Sequence, residues 1–510
     1  MAGEDPRRCG PAAFSVPLLL AIILLFWASV PAAKACDNLP QGTALQIRLS
    51  TPVSSYFSHS GNPVSALLTE DVRCNGQVVL PAGTRVEGTV EYVRKVGWGI
   101  RHETAGLRLS FTRLLIPGNA ALTIKSKVTE IYDARESVSN GMIQGIRGTD
   151  TPQGRINSRL KHLPTWNPYS DSVLIAFKLA FPIFPEPEIW YGRGTDLELQ
   201  LTAALSLPEL KLLPEAGKDF DQAELITLDD IGHKVPERVL TLDHKEADVT
   251  NIAFIATREE LERAFLVAGW TGSDKFSKSA FFKEFHAFLN NSSYAEAPMR
   301  PMLLGDAPPD LLWQKSLNTY SKRDHIRAWL WPETFEGTPI WIGATTHDVG
   351  ATLSVRYKRF VHHIEPEIDH ERAKVIRDLT LAGCVDSVYL APRLYFPSGL
   401  RNATGDPIRT DGAIAFIRIQ SCGNGTATGS KQDFHAGKRT FRYARQQILT
   451  LRSDIWRANI IYGAFDVARM ARTAFRHPEQ QAATSPVAAP ALPVLTRPPI
   501  PFCAAEALSF

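Results

Sequence analysis

The sequence lacks most of the short motifs that identify an enzyme. It contains no P-loop and no G-x-G-x-x-G, so no phosphate-cradling nucleotide site is predicted. It also lacks the G-x-S-x-G nucleophile turn and the H-E-x-x-H metal-binding helix. The net charge is only +3 over 510 residues, and no basic cluster is interleaved with aromatic residues. A nucleic-acid partner is therefore excluded from the prediction.

Cysteine is scarce, with six residues in the whole chain. Cys9 and Cys36 lie in or beside the apolar segment near the N-terminus, and the other four are widely spaced and match no zinc-knuckle pattern: Cys74, Cys384, Cys422 and Cys503. Isolated cysteines of this kind are commonly small buried hydrophobic residues. In an oxidising compartment they can instead pair, and Cys384 with Cys422 is one pairing within a single domain.

Long apolar runs are absent except for one, at residues 15–30. It follows Arg7 and Arg8 and precedes the small-residue site Ala33-x-Ala35, which predicts a secretory signal peptide over residues 1–35. An uncleaved anchor is the alternative, because the run approaches membrane-spanning length. Lipidation of Cys36 is a further alternative, although Lys34 fits that pattern poorly. We expect an exported protein of the periplasm or cell envelope, with a membrane tether left open.

Alternating apolar and polar residues over 40–207 predict antiparallel strands with one wet face. In TRVEGTVEYV, for example, Val86, Val90 and Tyr92 share one face. Asn75-Gly76 suits a two-residue hairpin turn. After a long inserted loop at about 129–190, the alternating segment GTDLELQL predicts a closing strand. The first domain is therefore expected to be an all-β barrel or sandwich.

The same segment resembles the β-barrel of TrbI-type type IV secretion proteins over about residues 46–207. The likeness rests on an A-x-x-T-x-D-V strand, a V-L-P-A-G-T-R-V-x-G turn and the closing G-T-x-L-x-L-x-L strand. These are features of turn geometry rather than of chemistry. The resemblance implies a fold and does not imply membership of a secretion machine.

Residues 208–246 are charged and contain several prolines, which predicts a linker. From 247 to 420 helical and strand patterns alternate, which predicts an α+β domain with a largely antiparallel sheet. Thr257 and Glu260 form a capping-box pattern before a helix that ends at Gly269. The protein is thus predicted to be multidomain, with the all-β unit followed by the α+β unit.

This second region closely resembles the LssY C-terminal domain family. The matching blocks are NIAFIATREELERAFLVAGW, RDHIRAW, WIGATTHDVG, HHIEPEIDHER and GDPIRTDGAIAF, which occur in the same order. The family is often attached to membrane proteins, including lipid-phosphatase-like segments. Because this chain has no multi-span phosphatase portion, that activity does not transfer.

The C-terminal part divides into two segments. Residues 421–476 have the pattern of a basic amphipathic helical tail, whose arginines can meet anionic headgroups through the segment 440–476. Docking of this helix on the α+β domain is the favoured alternative to membrane contact. Residues 477–510 are rich in Pro and Ala and are expected to be disordered.

The polar residues that can carry chemistry lie in three blocks of the α+β region, at the expected ends of neighbouring strands. The candidates for binding an anionic ligand are Arg323, Asp324, His325 and Arg327. The candidates for holding a divalent metal are His325, His347, His362, His363 and Asp369, and those for a catalytic base are Asp348 and Glu365. His347 and Asp348 begin the segment HDVG, which is expected to turn between two of these strands. We expect the three blocks to meet at a single edge of the sheet.

The spacing of these residues matches no defined metal motif, so two hypotheses stay open. The first is a non-catalytic binding or assembly protein whose partner is an anionic envelope ligand or an envelope protein. The second is a metal-dependent hydrolase of phosphoester or glycan bonds. In the second, the cofactor is a divalent metal. Peripheral membrane contact through the N-terminus or the 440–476 helix is compatible with either.

Overall fold

A computed structural model gives the arrangement of most of the chain. The described residues are 37–75, 77–116, 118–148, 151–152, 186–207, 219–274, 277–354, 359–393, 399–422 and 437–457. The predicted signal peptide, Cys36, most of the inserted loop and the Pro/Ala-rich segment lie outside the described residues. So does the part of the basic tail beyond residue 457.

The first unit consists of short and medium-length strands. These are Asn38–Leu39 (β1), Ala44–Leu49 (β2), Val53–Ser54 (β3), Pro63–Leu68 (β4), Val72–Cys74 (β5), Gln77–Leu80 (β6), Arg85–Arg94 (β7), Gly106–Leu115 (β8), Leu122–Thr123 (β9), Ser126–Ile131 (β10), Ser137–Ser139 (β11), Met142–Gln144 (β12), Trp190–Tyr191 (β13), Asp196–Leu201 (β14) and Leu205–Ser206 (β15).

Nine of these strands form one antiparallel, nearly closed, barrel-like sheet. Its order is β10-β14-β2-β4-β7-β8-β12-β11, with β9 on β8. The alternation predicted from sequence is present, since Leu107, Leu109 and Phe111 are all buried in the interior. A bulge between Val90 and Tyr92 interrupts it, so Tyr92 is 42% exposed rather than buried as its spacing suggested.

Two asparagine turns close hairpins in this unit, one in the separate two-stranded sheet β5-β6 and one in the nine-stranded sheet. Asn75 has a φ of 52° and joins β5 to β6, as its sequence predicted. Asn140 and Gly141, with φ values of 53° and 75°, join β11 to β12 inside the region expected to be an inserted loop. Because β12 pairs with β8, the start of that region belongs to the barrel.

The strand predicted to close the sheet does so. β14 pairs with β2 on one side and with β10 on the other, and both pairings are antiparallel. Leu197, Leu199 and Leu201 point into the interior. The all-β prediction for the first domain is therefore confirmed.

The second unit combines helices with two sheets. Its helices are Gln222–Lys234 (α1), Arg258–Val267 (α2), Lys278–Asn290 (α3) and Ile368–Leu381 (α4), and a further helix, Arg439–Arg457 (α5), follows it. Its strands are Arg238–Thr241 (β16), Glu246–Val249 (β17), Ile252–Ile255 (β18), Thr271–Gly272 (β19), Met302–Leu303 (β20), Leu311–Lys315 (β21), Arg323–Phe335 (β22), Thr338–Ser354 (β23), Arg359–Ile364 (β24), Val385–Ala391 (β25) and Ile414–Ile419 (β26).

The larger sheet has the order β19-β21-β22-β23-β18-β26-β25, with β24 on β23. Only the β18–β26 pair is parallel, so the prediction of a largely antiparallel α+β sheet is confirmed. One face packs against α2 and α4, and the other packs against α1 and the small sheet β17-β16-β20. The predicted capping box of Thr257 and Glu260 begins α2.

The described part of the expected linker belongs to this second unit. Asp221 and Glu224 form a capping box that begins α1. Leu228 and Ile231, three positions apart, are buried against the sheet. The sequence predicted a linker here because the apolar stripe of α1 is narrow and prolines lie on both sides of this helix.

The dipeptide His347-Asp348 was expected to lie in a turn between two strands, but β23 continues straight through it. A bulge between Asp348 and Gly350 takes the place of the turn. Because both residues are in an extended strand, their side chains project to opposite faces of the sheet.

Two further contacts complete the fold. Cys384 and Cys422 form a disulfide that links the beginning of β25 to the chain just after β26. Helix α5 docks on the barrel rather than on the α+β domain, since Arg445 pairs with Glu186 and Leu449 packs against the barrel core. Among the described residues, no helix has the length and apolarity needed to cross a bilayer.

Candidate functional site

The pairing of β22 with β23 distributes the candidate residues over two faces of the sheet. Arg323 lies opposite Asp348, and Asp324 lies opposite His347. Residues that lie opposite one another in an antiparallel pair share a face, and neighbours along a strand do not. The three sequence blocks therefore form two separate clusters instead of one shared edge.

The first group, which we call the His325 cluster, lies on the face covered by α1 and the small sheet. Its members are Gln314, Tyr320, Arg323, His325, Asp348 and His362. They are contributed by β21, the β21–β22 loop, β22, β23 and β24.

Asp348 is the centre of the His325 cluster. Its Oδ2 atom lies 2.6 Å from His325 Nε2 and 2.9 Å from His362 Nδ1. Arg323 Nε donates to the same oxygen at 3.3 Å. The Asp348 side chain is 6% exposed. It therefore serves as a buried anchor for three side chains.

His362 connects this anchor to the rim of the cluster. Its Nε2 atom lies 2.8 Å from the Tyr320 hydroxyl and 3.2 Å from Arg323 Nη2. The Tyr320 hydroxyl in turn donates to the carboxylate of Glu284 on α3. Burial raises the pKa of Tyr320 far above its ordinary range, so this hydroxyl keeps the proton that it donates to Glu284.

Burial lowers the pKa of His325 to about 4, and the adjacent Asp348 only partly opposes that shift. The imidazole is therefore neutral at pH 7, and its Nε2–H donates a hydrogen bond to Asp348. Burial alone would raise the pKa of Asp348, but its interactions with His325 and His362 hold it well below its ordinary value. Asp348 is thus ionised and acts as an acceptor only.

The arginines of the predicted anion-binding set are already paired. Arg323 donates to Asp348 and, at 3.3 Å, to Gln314 Oε1. Arg327 Nη1 lies 3.1 Å from Asp248 Oδ2, and both side chains are buried. An anionic ligand would have to displace a buried carboxylate to reach either guanidinium.

The second group, which we call the interface cluster, lies on the opposite face and joins the two domains. It contains residues of the barrel and of the second unit: Arg48, Asp133, Asp196, Lys315, Asp324, His347, Glu371, Lys374 and Asp378.

The fully buried carboxylate of Asp378 on α4 organises one half of the interface cluster. It accepts a hydrogen bond from Arg48 of the barrel, and Lys315 Nζ and Lys374 Nζ lie 2.8 Å and 3.2 Å from its Oδ2 atom. Arg48 Nε also donates to Asp196 of the barrel at 2.6 Å. Although burial opposes ionisation, the three cations hold the pKa of Asp378 well below its ordinary range.

His347 organises the other half. Its Nδ1 atom lies 2.7 Å from Asp324 Oδ1, and its Nε2 atom lies 3.6 Å from Asp133 Oδ1 of the barrel. Burial lowers the pKa of His347, but Asp133 and Asp324 outweigh it and raise the value to about 9. Burial and the charge of Asp324 raise the pKa of Asp133 to about 7.

Glu371 completes this half as an acid whose pKa is raised well above its ordinary value, by burial and by the neighbouring Asp324. Lys374 Nζ lies 3.1 Å from Asp324 Oδ2. Donor atoms of Asp133, Asp324 and His347 all lie within 4.8 Å of one another. Within the described part of the chain, these three residues are the set whose spacing suits a metal ion.

The side chains of the remaining candidates pair outside both clusters, although the Glu365 amide donates to the His347 carbonyl at 2.8 Å. His363 Nδ1 is 2.9 Å from Asp406, and His370 Nδ1 is 3.2 Å from Glu365. Asp369 accepts hydrogen bonds from the Thr410 hydroxyl at 2.7 Å and from a loop amide at 2.6 Å, so it fastens that loop to the first turn of α4.

Sequence reasoning missed Arg48, Asp133, Lys374 and Asp378. The two barrel residues lie in or beside alternating strands, where a charged residue normally faces water. Lys374 and Asp378 are four residues apart on α4, which is the usual spacing of a surface ion pair. One signal in the sequence could have indicated their burial. Lys374 and Asp378 lie on the same stripe of α4 as the buried Val375 and neighbouring apolar residues.

Comparison with known proteins assigns the second unit. Residues 233–414 match the family described as LssY C-terminus, so the predicted LssY C-terminal domain is confirmed. Among solved structures, the chain is similar to ComB10 of the Com type IV secretion system of Helicobacter pylori. The identity is 11%, the match covers 34% of this chain and 93% of ComB10, and the TM-score is 0.20. No curated protein matches the chain.

Proposed function

We propose that this chain, which carries an LssY C-terminal domain, is an exported cell-envelope protein that binds an envelope protein as a non-catalytic assembly component. In this role the barrel and the LssY domain act as one rigid body. The observation that carries the proposal is the position of Arg48, which lies buried between Asp196 of the barrel and Asp378 of the LssY domain.

The energetics of the Arg48 contact support a permanent association of the two domains. Removing one partner of a buried ion pair costs about 3–5 kcal/mol, because the other charge stays buried without compensation. Two neighbouring contacts also hold the domains together. Leu317 of the LssY domain packs in the barrel core, and Asn318 donates to Glu136 of the barrel at 2.7 Å. A fixed arrangement of two domains suits a scaffold that presents one composite surface.

The predicted catalytic and ligand-binding residues have structural partners in this arrangement. Asp348 anchors Arg323, His325 and His362. Because Arg323 is already bound to Asp348 and Arg327 to Asp248, an anionic ligand gains little from them. An envelope protein is therefore the favoured partner class.

Export is supported by two features of different kinds. The N-terminal segment has the pattern of a secretory signal. Cys384 and Cys422 form a disulfide, and structural disulfides persist mainly in oxidising compartments outside the cytosol.

The proposal is tested with an affinity-tagged full-length chain expressed in its host. Fractionation should place it in the envelope. After cross-linking of intact cells, the same envelope protein should be recovered with the wild type and with Arg108→Met, which removes a largely exposed pair with Glu91. Arg48→Met should reduce recovery at least tenfold at equal protein level, because it separates the two domains.

Two outcomes would contradict the proposal. Equal recovery with Arg48→Met would show that the composite surface is not what binds. Hydrolysis of phosphomonoester, phosphodiester or glycoside substrates by the purified chain, abolished by Asp348→Asn, would show that the His325 cluster is an active site.

A further inference from the structure

The contact between Asp133 and His347 crosses from the barrel to the LssY domain. Asp133 follows β10 of the barrel, and His347 lies in β23 of the LssY domain. The Oδ1 atom of Asp133 and the Nε2 atom of His347 are 3.6 Å apart. This distance is too long for a good hydrogen bond, but two donor atoms at that spacing can share one metal ion with bonds near 2 Å.

Asp324 sets the orientation of the His347 imidazole. Asp324 Oδ1 lies 2.7 Å from His347 Nδ1 and accepts a hydrogen bond from it. This hydrogen bond keeps a proton on Nδ1 and directs Nε2 toward Asp133, so Nε2 becomes the ligand atom when metal binding displaces its own proton. A carboxylate behind a histidine is the usual arrangement around histidine ligands of metals.

Asp133 is an independent indication of a ligand. Its side chain is 8% exposed and points at His347, yet its Oδ1 atom has no hydrogen-bond partner among the described residues. A buried carboxylate oxygen in that state is costly unless a cation or a donor reaches it. The His347 side chain is 18% exposed, so water and small ions can approach the pair.

We propose that a divalent metal ion, with zinc as the first choice and manganese as its competitor, binds between Asp133 and His347 and clamps the barrel to the LssY domain. Asp133 and His347 supply the first two ligands, and water supplies the rest. Asp324 is a positioning residue that holds the imidazole. A mixed nitrogen and oxygen donor set without thiolates suits zinc or manganese better than copper(I).

The site does not depend on the proposed binding role. It rests on the geometry of three side chains, and its measurements use the metal alone. Failure of the partner-recovery experiment would leave it untouched, and failure of metal binding would leave the Arg48 contact untouched.

The test begins with the full-length chain after exhaustive chelation, titrated with zinc chloride by calorimetry. One ion per chain should bind, and it should raise the melting temperature. Asp133→Asn and His347→Gln should each weaken binding at least tenfold, and Asp324→Asn should weaken it by about 10- to 100-fold. His363→Gln is the matched control, because His363 also pairs with an aspartate at 2.9 Å but lies outside the site.

Cobalt(II) provides a readout that a purely structural role would not change. The wild-type chain should give a cobalt absorption spectrum with histidine ligation, and His347→Gln should lose it while His363→Gln keeps it. Absence of stoichiometric zinc and manganese binding to the wild type would overturn the proposal. Equal zinc affinity in Asp133→Asn and wild type would overturn it as well, whatever the stability of the variants.

Discussion

The neutral, buried imidazole of His325 predicts that acid destabilises this protein through one identifiable residue. The pKa of His325 falls from 6.5 to about 4 in the folded chain, chiefly because burial disfavours its charged form. Between these two pH values the unfolded chain binds a proton that the folded chain does not. Stability is therefore full above pH 6.5 and is lost as the pH falls toward 4.

The size of the effect follows from the shift. A difference of about 2.5 pKa units corresponds to about 3 kcal/mol at pH 4. For a domain of this size, that equals a fall of about 6–12 °C in melting temperature. Other groups titrate in the same range, so the contribution of His325 has to be isolated by comparison with a variant.

The assay is thermal unfolding of the wild type and of His325→Gln at several values between pH 7 and pH 4.5. Glutamine keeps a donor for Asp348 but cannot take up a proton. The pH-dependent fall in melting temperature should be clearly smaller in the variant. His363→Gln should retain the wild-type slope, because its side chain is 43% exposed. Identical slopes in all three proteins, or an NMR signature of a charged His325 at pH 7, would refute the reasoning.

Two other predictions concern backbone packing and the disulfide. Gly88→Ala places a Cβ 2.0 Å from the Ser110 carbonyl oxygen. It should lower stability by about 1–3 kcal/mol, whereas Gly350→Ala, which meets nothing within 4 Å, should melt close to wild type. Cys422→Ser opens the bond to Cys384 and should cost about 2–4 kcal/mol. A reductant should bring the wild type to the melting temperature of the variant, and a difference that survives reduction would contradict the assignment.

Local features of the fold were predictable because neighbouring residues determine them. Alternation placed Leu107 and Leu109 in the barrel interior, and the capping box of Thr257 and Glu260 marked the start of α2. Bulges were not predictable in the same way. The bulge that exposes Tyr92 depends on how two strands pair, and a single strand carries no signal for it.

The candidate site, like the fold, could be predicted from the sequence only in part. The residue types and the strands that carry Arg323, His325 and His347 were found in the sequence, but their grouping was not. Whether His347 and Asp348 lie in a turn or in a strand decides which face each occupies, and a local glycine suggested a turn. Tertiary pairing with β22 and β24 keeps the segment extended.

Taken alone, the sequence determined the order of the two domains, the LssY C-terminal match, the predicted export signal and the chemistry available to the second sheet. Each of these can be recognised from a pattern within one segment of the chain. Such patterns arise from backbone sterics and from the burial of neighbouring residues. Only the tertiary structure decided that the polar residues divide between two faces. It alone brought Arg48 and Asp133 of the barrel to Asp378 and His347, since contacts between residues hundreds of positions apart leave no periodic trace in the chain.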